Sequence, residues 1–200
     1  MILKCTVNEE LAGKTVKHIL KNHLLLSERL VKRLKYDNKI LINGIPVHIN
    51  ASTNYGDILE ANIYFEEYPD GIIPEDIQID IIHEDDYIIA VNKHPGIVVH
   101  PTSTHPSGTI ANALTSHLFK KGVYLKVRPV IRLDRDTSGV IIFAKNQYVQ
   151  EHLIRQMNAK TFKKEYVGVV HGRPAPCGTI DLPIDRKPES IMLRHVSPDG

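Results

Sequence analysis

The spacing of apolar positions changes along the chain and divides it. Val16, Ile19, Leu20 and Leu24 recur at helical spacing, while Lys14, Lys17 and Lys21 recur on another face. Ser27 is a good N-cap for a second helix with Leu30, Val31 and Leu34 inside and Arg29, Lys32, Arg33 and Tyr36 outside. Ile40 to Val47 is a hairpin signal: Asn43-Gly44 supplies the positive φ angles of a tight turn, and Pro46 places the second strand near an edge. Tyr55-Gly56-Asp57 turns into a last strand, Ile58 to Ile63. From Glu66 to Asp76 no period survives. Pro69, Gly71 and Pro74 lie there among acids, which reads as a linker.

Strand patterns follow. Ile77, Ile79 and Ile81 alternate with polar residues, and Tyr87 to Asn92 reads as a buried strand. Lys93-His94-Pro95-Gly96 is a turn leading into Ile97 to Pro101. A helix should start near Ser107–Thr109, carry Ile110, Leu114 and Leu118 on one face, and stop at Lys120-Lys121-Gly122. Val123 to Ile131 is extended, with Pro129 barred from a central ladder position. Val140 to Ala144 is an apolar run and predicts a buried strand. Asn146 caps a helix carrying Val149, Leu153 and Met157, and Lys164 to Val170 alternates as a strand. The expected fold is α+β. It has a small two-helix plus hairpin domain at 1–65, an acidic linker at 66–76, and a mixed or antiparallel sheet domain at 77–200.

Charge sharpens this division. The net charge of +2 hides nine Lys/Arg against six Asp/Glu in residues 1–65, nine acids and no Lys or Arg in 66–86, and sixteen bases against eight acids in 87–200. Two basic lobes on an acidic joint suggest a polyanion gripped at two places, with the linker from Glu66 to Asp76 repelled from it. Lys14, Lys17, Arg29, Lys32 and Arg33 are the candidate phosphate contacts, and Tyr36 offers a surface for stacking an unpaired base. An apolar content of 42% supports a real core, and no run approaches membrane-spanning length. Met1 to Cys5 is too short and wrongly flanked for a signal peptide. Cys5 and Cys177 form neither a disulfide framework nor a metal cluster, so a reducing cytoplasm is the default.

Chemistry concentrates in Arg132-Leu133-Asp134-Arg135-Asp136-Thr137-Ser138-Gly139, four charges laid against the apolar run that follows. No phosphate-cradling Gly-x-x-x-x-Gly-Lys loop occurs, and Ser138 lacks the preceding glycine of a nucleophile elbow. His94, His100 and His105 lack ligand spacing and read as loop polar groups, one of which could meet a phosphate. Asp134 sits between Arg132 and Arg135, either of which could hold it ionised and fit for nucleophile or base work. Asp136 competes with it for the role. A glycosidase pair is disfavoured, since alternate residues of one strand lie closer than the roughly 5 Å or more such carboxylates need.

Arg132 to Gly139 resembles the active-site signature of the RluA-type pseudouridine synthases. Val91-Asn92-Lys93-His94-Pro95-Gly96 through His100-Pro101, Lys164 to Gly172 and Gly178 to Arg186 are similar to further segments of that family, in the same order. The two basic helices and small sheet of residues 11–64 resemble the RNA-binding module named after a small-subunit ribosomal protein (S-four). The resemblance implies isomerisation of uridine within RNA, with no cofactor, metal or energy source. The linked RNA-binding module leans toward a large structured RNA, ribosomal more than transfer RNA, and the expected protein is a monomer with no membrane partner. The same resemblance implies Asp134 as the essential aspartate, Tyr166 as the tyrosine packed on uracil, Arg132 as the arginine filling the space of a flipped nucleotide, and Arg135 as an RNA contact. A non-catalytic RNA-binding protein is the alternative.

Two departures stand out. The family has His where Ile131 stands; Ile can pack there, at the loss of an RNA contact. The family's later Gly-Arg-Thr-His-Gln-Ile-Arg segment, whose last basic residue pairs with the essential aspartate, is absent from these 200 residues. Pro198-Asp199-Gly200 reads as a turn between strands. The expectation is a catalytic sheet that continues past it, and an inactive or poorly folded chain without that continuation.

Overall fold

The computed structural model describes residues 1–68, 71–190 and 193–198. Two bodies are distinguished, Met1–Lys163 and Lys164–Gly200. In the first, Thr15 Oγ1 accepts from the His18 amide and opens α1 (Val16–His18), which continues as a π-type segment, Ile19–His23. The wider turn is closed by the Leu24 amide donating to the Ile19 carbonyl at 2.9 Å. Val16, Ile19 and Leu20 are fully buried, as their spacing requires. Ser27 Oγ caps α2 (Glu28–Tyr36), whose inner face is Leu30, Val31 and Leu34.

These helices cover an antiparallel sheet of β1 (Ile2–Thr6), β2 (Ile40–Ile42), β3 (Ile45–Pro46) and β4 (Ile58–Asn62), in the order β1-β4-β2-β3. Asn43 and Gly44 turn the hairpin with φ of 52° and 80°. The Asn43 side chain also accepts from the Ile58 amide at 2.8 Å, tying the turn to β4. Pro46 lies on the edge strand. β1 was not expected: its five residues carry little periodicity and become a strand by pairing with β4 along Ile2–Thr6.

A second core follows. β5 (Asp80–Glu84), β6 (Ile88–Lys93), β7 (Arg128–Pro129) and β8 (Gly139–Ala144) form an antiparallel sheet in the order β5-β6-β8-β7. Ile89, Val91, Ile141 and Phe143 from this sheet share a buried cluster with Ile110, Leu114 and Leu118 of α3 (Ile110–Lys120). A reciprocal capping box of Thr109 and Asn112 starts that helix. Pro129 sits in the two-residue edge strand, where its missing N–H costs least. Asn146 caps α4 (Gln147–Asn158), but none of its residues is buried. Its Tyr148 packs on the first core, together with Phe65. The fold is therefore α+β, with every described strand pair antiparallel.

The second body holds β9 (Ile184–Arg186) paired antiparallel with β10 (Arg194–Val196). Here the sequence expectation needs correction. Lys164 to Val170 alternates like a strand yet adopts no regular structure. A strand exists through its ladder partner, and no described residue pairs with this segment; Val167 and Val169 are fully exposed. The expected turn at Pro198-Asp199-Gly200 lies outside the described residues beyond Pro198.

Glu84 at the end of β5 ties α3 to the sheet. One oxygen accepts from His117 Nε2 and Lys121 Nζ, both at 2.8 Å, and the other from Lys145 Nζ at 2.9 Å. Burial works to raise its pKa. The donors Lys121, His117 and Lys145 outweigh it and hold the carboxyl at about 2, against an ordinary 4.5. A depressed carboxylate stabilises the fold above its unfolded pKa and loses that contribution as pH falls toward the folded value. Denaturant unfolding of Glu84→Gln against the parent should therefore show a gap of at most about 3 kcal/mol near neutrality. That gap should close between about pH 4.5 and about pH 2.

Candidate active site

The charged segment picked out by the sequence forms the loop between β7 and β8, and its shape is set from beneath. Lys93, the last residue of β6, lies opposite Gly139 in the ladder and is 1% exposed. A buried ammonium must find oxygen partners. Lys93 Nζ donates to the carbonyls of Thr137 at 2.6 Å, Arg135 at 2.7 Å and His94 at 3.1 Å. The Arg135 carbonyl also accepts from the Gly96 amide at 2.9 Å, and the Thr137 amide donates to the Asp134 carbonyl at 3.2 Å. Gly139 leaves the loop with φ of 120°, a conformation that side-chain-bearing residues rarely adopt.

With its carbonyls turned inward, the loop presents its charged side chains outward. Arg132, Asp134, Arg135 and Asp136 are all exposed, while Ile131 and Leu133 pack against the second core. Ile131 thus fills an apolar position. Arg135 Nε pairs with Asp136 Oδ1 at 3.3 Å, so the expected hold of an arginine on Asp134 is not what the loop contains. Among the described residues the Asp134 carboxylate has no hydrogen bond or ion pair. Its electrostatic neighbour is Lys93: burial lowers the Lys93 pKa, and Asp136 and then Asp134 oppose that fall. An exposed carboxylate above a buried cation keeps its lone pairs free for an incoming group.

The remaining predicted residues are dispersed. Tyr166 belongs to the second body, exposed and in a segment without regular structure. Lys14 is exposed; Lys17 and Lys21 share Glu28 at 3.4 and 2.7 Å. Arg29 and Lys32 stand exposed on α2 without an acidic partner among the described residues. Arg33 stacks on the Phe65 ring at 3.7 Å and pairs with Glu67. Sequence reasoning did not single out Lys93, which read as part of a turn. Its signal was a lysine placed directly after an apolar run, where a buried strand meets a loop.

Residues 87–199 match the RNA pseudouridylate synthase family. The chain belongs to that family. Residues 3–59 match the N-terminal domain of the ribosomal pseudouridine synthase RluD. The chain is 38% identical over 177 residues to the uncharacterized RNA pseudouridine synthase YjbO of Bacillus subtilis, spanning 88% of this chain and 62% of that protein. Another B. subtilis protein, the uncharacterized RNA pseudouridine synthase YhcT, is 34% identical over 99% of this chain and 66% of its own length. Ribosomal large subunit pseudouridine synthase D of Buchnera aphidicola is 45% identical over 85% of this chain and 55% of its own length. The chain thus spans about two thirds or less of these relatives. The family match begins at Tyr87 and so takes in Lys93 together with the whole β7–β8 loop.

Lys93→Met would strand the His94 and Thr137 carbonyls over an apolar side chain and leave the Arg135 carbonyl with the Gly96 amide alone. We expect a loss of about 3 kcal/mol in denaturant unfolding. Hydrogen exchange at the Gly96 and Thr137 amides should accelerate beyond what that global loss accounts for.

Proposed function

We propose that the protein isomerises specific uridines in structured RNA to pseudouridine. The bond from ribose C1′ to N1 breaks, the uracil turns, and C1′ is joined to C5; a proton leaves C5 and N1 gains one. Atoms and electrons balance without redox partner or energy source. The observation that carries this reading is the loop itself: its backbone is pinned by Lys93 while Asp134 is left exposed and unpaired. Asp134 is the residue we assign to attack on the ribose or base, as nucleophile or as base. Arg132, exposed two positions earlier, would fill the space vacated by an extruded nucleotide, Arg135 would contact RNA, and Tyr166 would supply an aromatic face for the uracil. Extruding a base from a stem costs a few kcal/mol, which stacking and a cation in the vacancy partly offset.

Ribosomal RNA is the favoured substrate over transfer RNA, because one relative acts by name on the large ribosomal subunit and the N-terminal match is to a ribosomal enzyme's domain. Within this reading residues 1–65 grip RNA through Lys14, Lys17, Arg29, Lys32 and Arg33, residues 66–76 link, and residues 77–200 belong to the catalytic domain of a cytoplasmic monomer.

Tritium release from RNA labelled at uridine C5 tests the chemistry. A protein carrying this chain at the full length of its relatives should release tritium, and Asp134→Asn should abolish release while leaving RNA binding within about twofold. Intact binding without release from the unmutated protein would instead support a non-catalytic RNA-binding role; free uracil would indicate glycosidic cleavage.

A further inference from the structure

Glu67 joins the two cores of the first body. One carboxylate oxygen accepts from Arg33 of α2 and the other from Arg128 of β7. Burial works to raise the Glu67 pKa, but the hydrogen bonds from Arg33 and Arg128 prevail and keep the group below the usual carboxylate range, so it is an anion. Beside it opens a crevice of about 610 Å³ whose walls include Arg29 and Lys126. Neither has an acidic partner among the described residues. Glu66 and Glu151 also line it. Glu151 accepts from Gln147 through Oε1, while its Oε2 is buried without a partner. While Glu67 stays in place, four fixed cations face three carboxylates; with Glu67 withdrawn the crevice is strongly positive.

The crevice is also electrostatically connected to the candidate active site. His100 lines it, with a buried Nδ1 that has no partner among the described residues. Burial, then Lys126, then Arg132 lower the His100 pKa from its ordinary value, which favours the neutral ring. The field of Arg132 on the Asp134 loop therefore reaches the same ring as that of Lys126 in the crevice.

We propose that the crevice is a second RNA contact in which a backbone phosphate replaces the Glu67 carboxylate between Arg33 and Arg128, with flanking phosphates taken by Arg29 and Lys126. Two guanidinium forks converging on one anion suit a phosphate as well as a carboxylate. A polyanion brings several charges to the crevice, whereas Glu67 offers the two arginines one. Glu67 then acts as a tethered competitor, keeping the arginines paired and the two cores fastened until RNA arrives. The proposal rests on the RNA-modifying reading above.

The test is binding of a labelled stem-loop of large-subunit ribosomal RNA by the 200-residue chain across a salt series, with thermal unfolding of each variant as the check on folding. Glu67→Gln should bind at least about fivefold more tightly, the lower end of ordinary coupling between competing contacts. Lys126→Ala should bind more weakly and with a log–log salt slope smaller by about one. Lys120→Ala, which removes an exposed lysine paired with Asp76, should bind as the parent does. The proposal is overturned if folded Glu67→Gln binds no more tightly than the parent, or if Lys126→Ala matches Lys120→Ala. Were Glu67→Gln to unfold, Lys126→Ala and Arg29→Ala would decide alone, with unchanged affinity in both overturning it. Those failures leave RNA binding by the parent intact; loss of RNA binding by the parent at low salt would sink the underlying reading as well. Equal, Lys126-dependent binding of polyglutamate would make the partner an acidic protein and also overturn the proposal.

Discussion

An ammonium group taken almost wholly out of water has to be surrounded by oxygen, and at Lys93 those oxygens belong to the backbone of the loop that carries Asp134. This requirement orders the region. The carbonyls of Arg135 and Thr137 point down, so the side chains between β7 and β8 point up, and Asp134 and Asp136 stay close enough to offset the buried charge. Side-chain hydrogen bonds could have held the loop, but they would have occupied its charged groups. Backbone carbonyls leave the carboxylate of Asp134 free.

The acidic middle of the chain has a different role from the one its composition suggested. Residues 66–86 read as an acidic joint, and its first part, residues 66–76, as a linker kept away from nucleic acid by its charge. Several of its acids are counter-ions within the fold: Glu67 to Arg33 and Arg128, Asp76 to Lys120, and Glu84 to His117, Lys121 and Lys145. Part of the positive charge that pointed to a polyanionic partner is therefore matched internally. Among the described residues without an acidic partner are Lys14, Arg29, Lys32 and Arg132, all exposed, and Lys126, which is half-buried. Part of the cation count is structural, and the distribution of unpaired cations says more about a polyanionic partner than net charge does.

Legibility in the sequence followed the locality of the forces. α2, α3, the Asn43-Gly44 hairpin and β6 and β8 were readable because spacing, caps and turn residues act within a few positions. β1 and Lys164–Val170 were misread in opposite directions for one reason: a strand is decided by a partner far away in sequence. α4 was readable from Asn146 as its cap and from the spacing of Val149, Leu153 and Met157, while the packing of its Tyr148 on the first core was not.

By itself the sequence determined the α+β class, the helical basic face and the charge-dense loop with Asp134 and Arg132 in it. The tertiary structure decided which charges are spent on one another: that Arg135 takes Asp136 and leaves Asp134 free, that Arg33 is committed to Glu67, and that Lys93 holds the loop from inside. Charge is a property of each residue and can be counted along the chain. Pairing and burial depend on which distant residue lies within about 3 Å, and folding alone sets that.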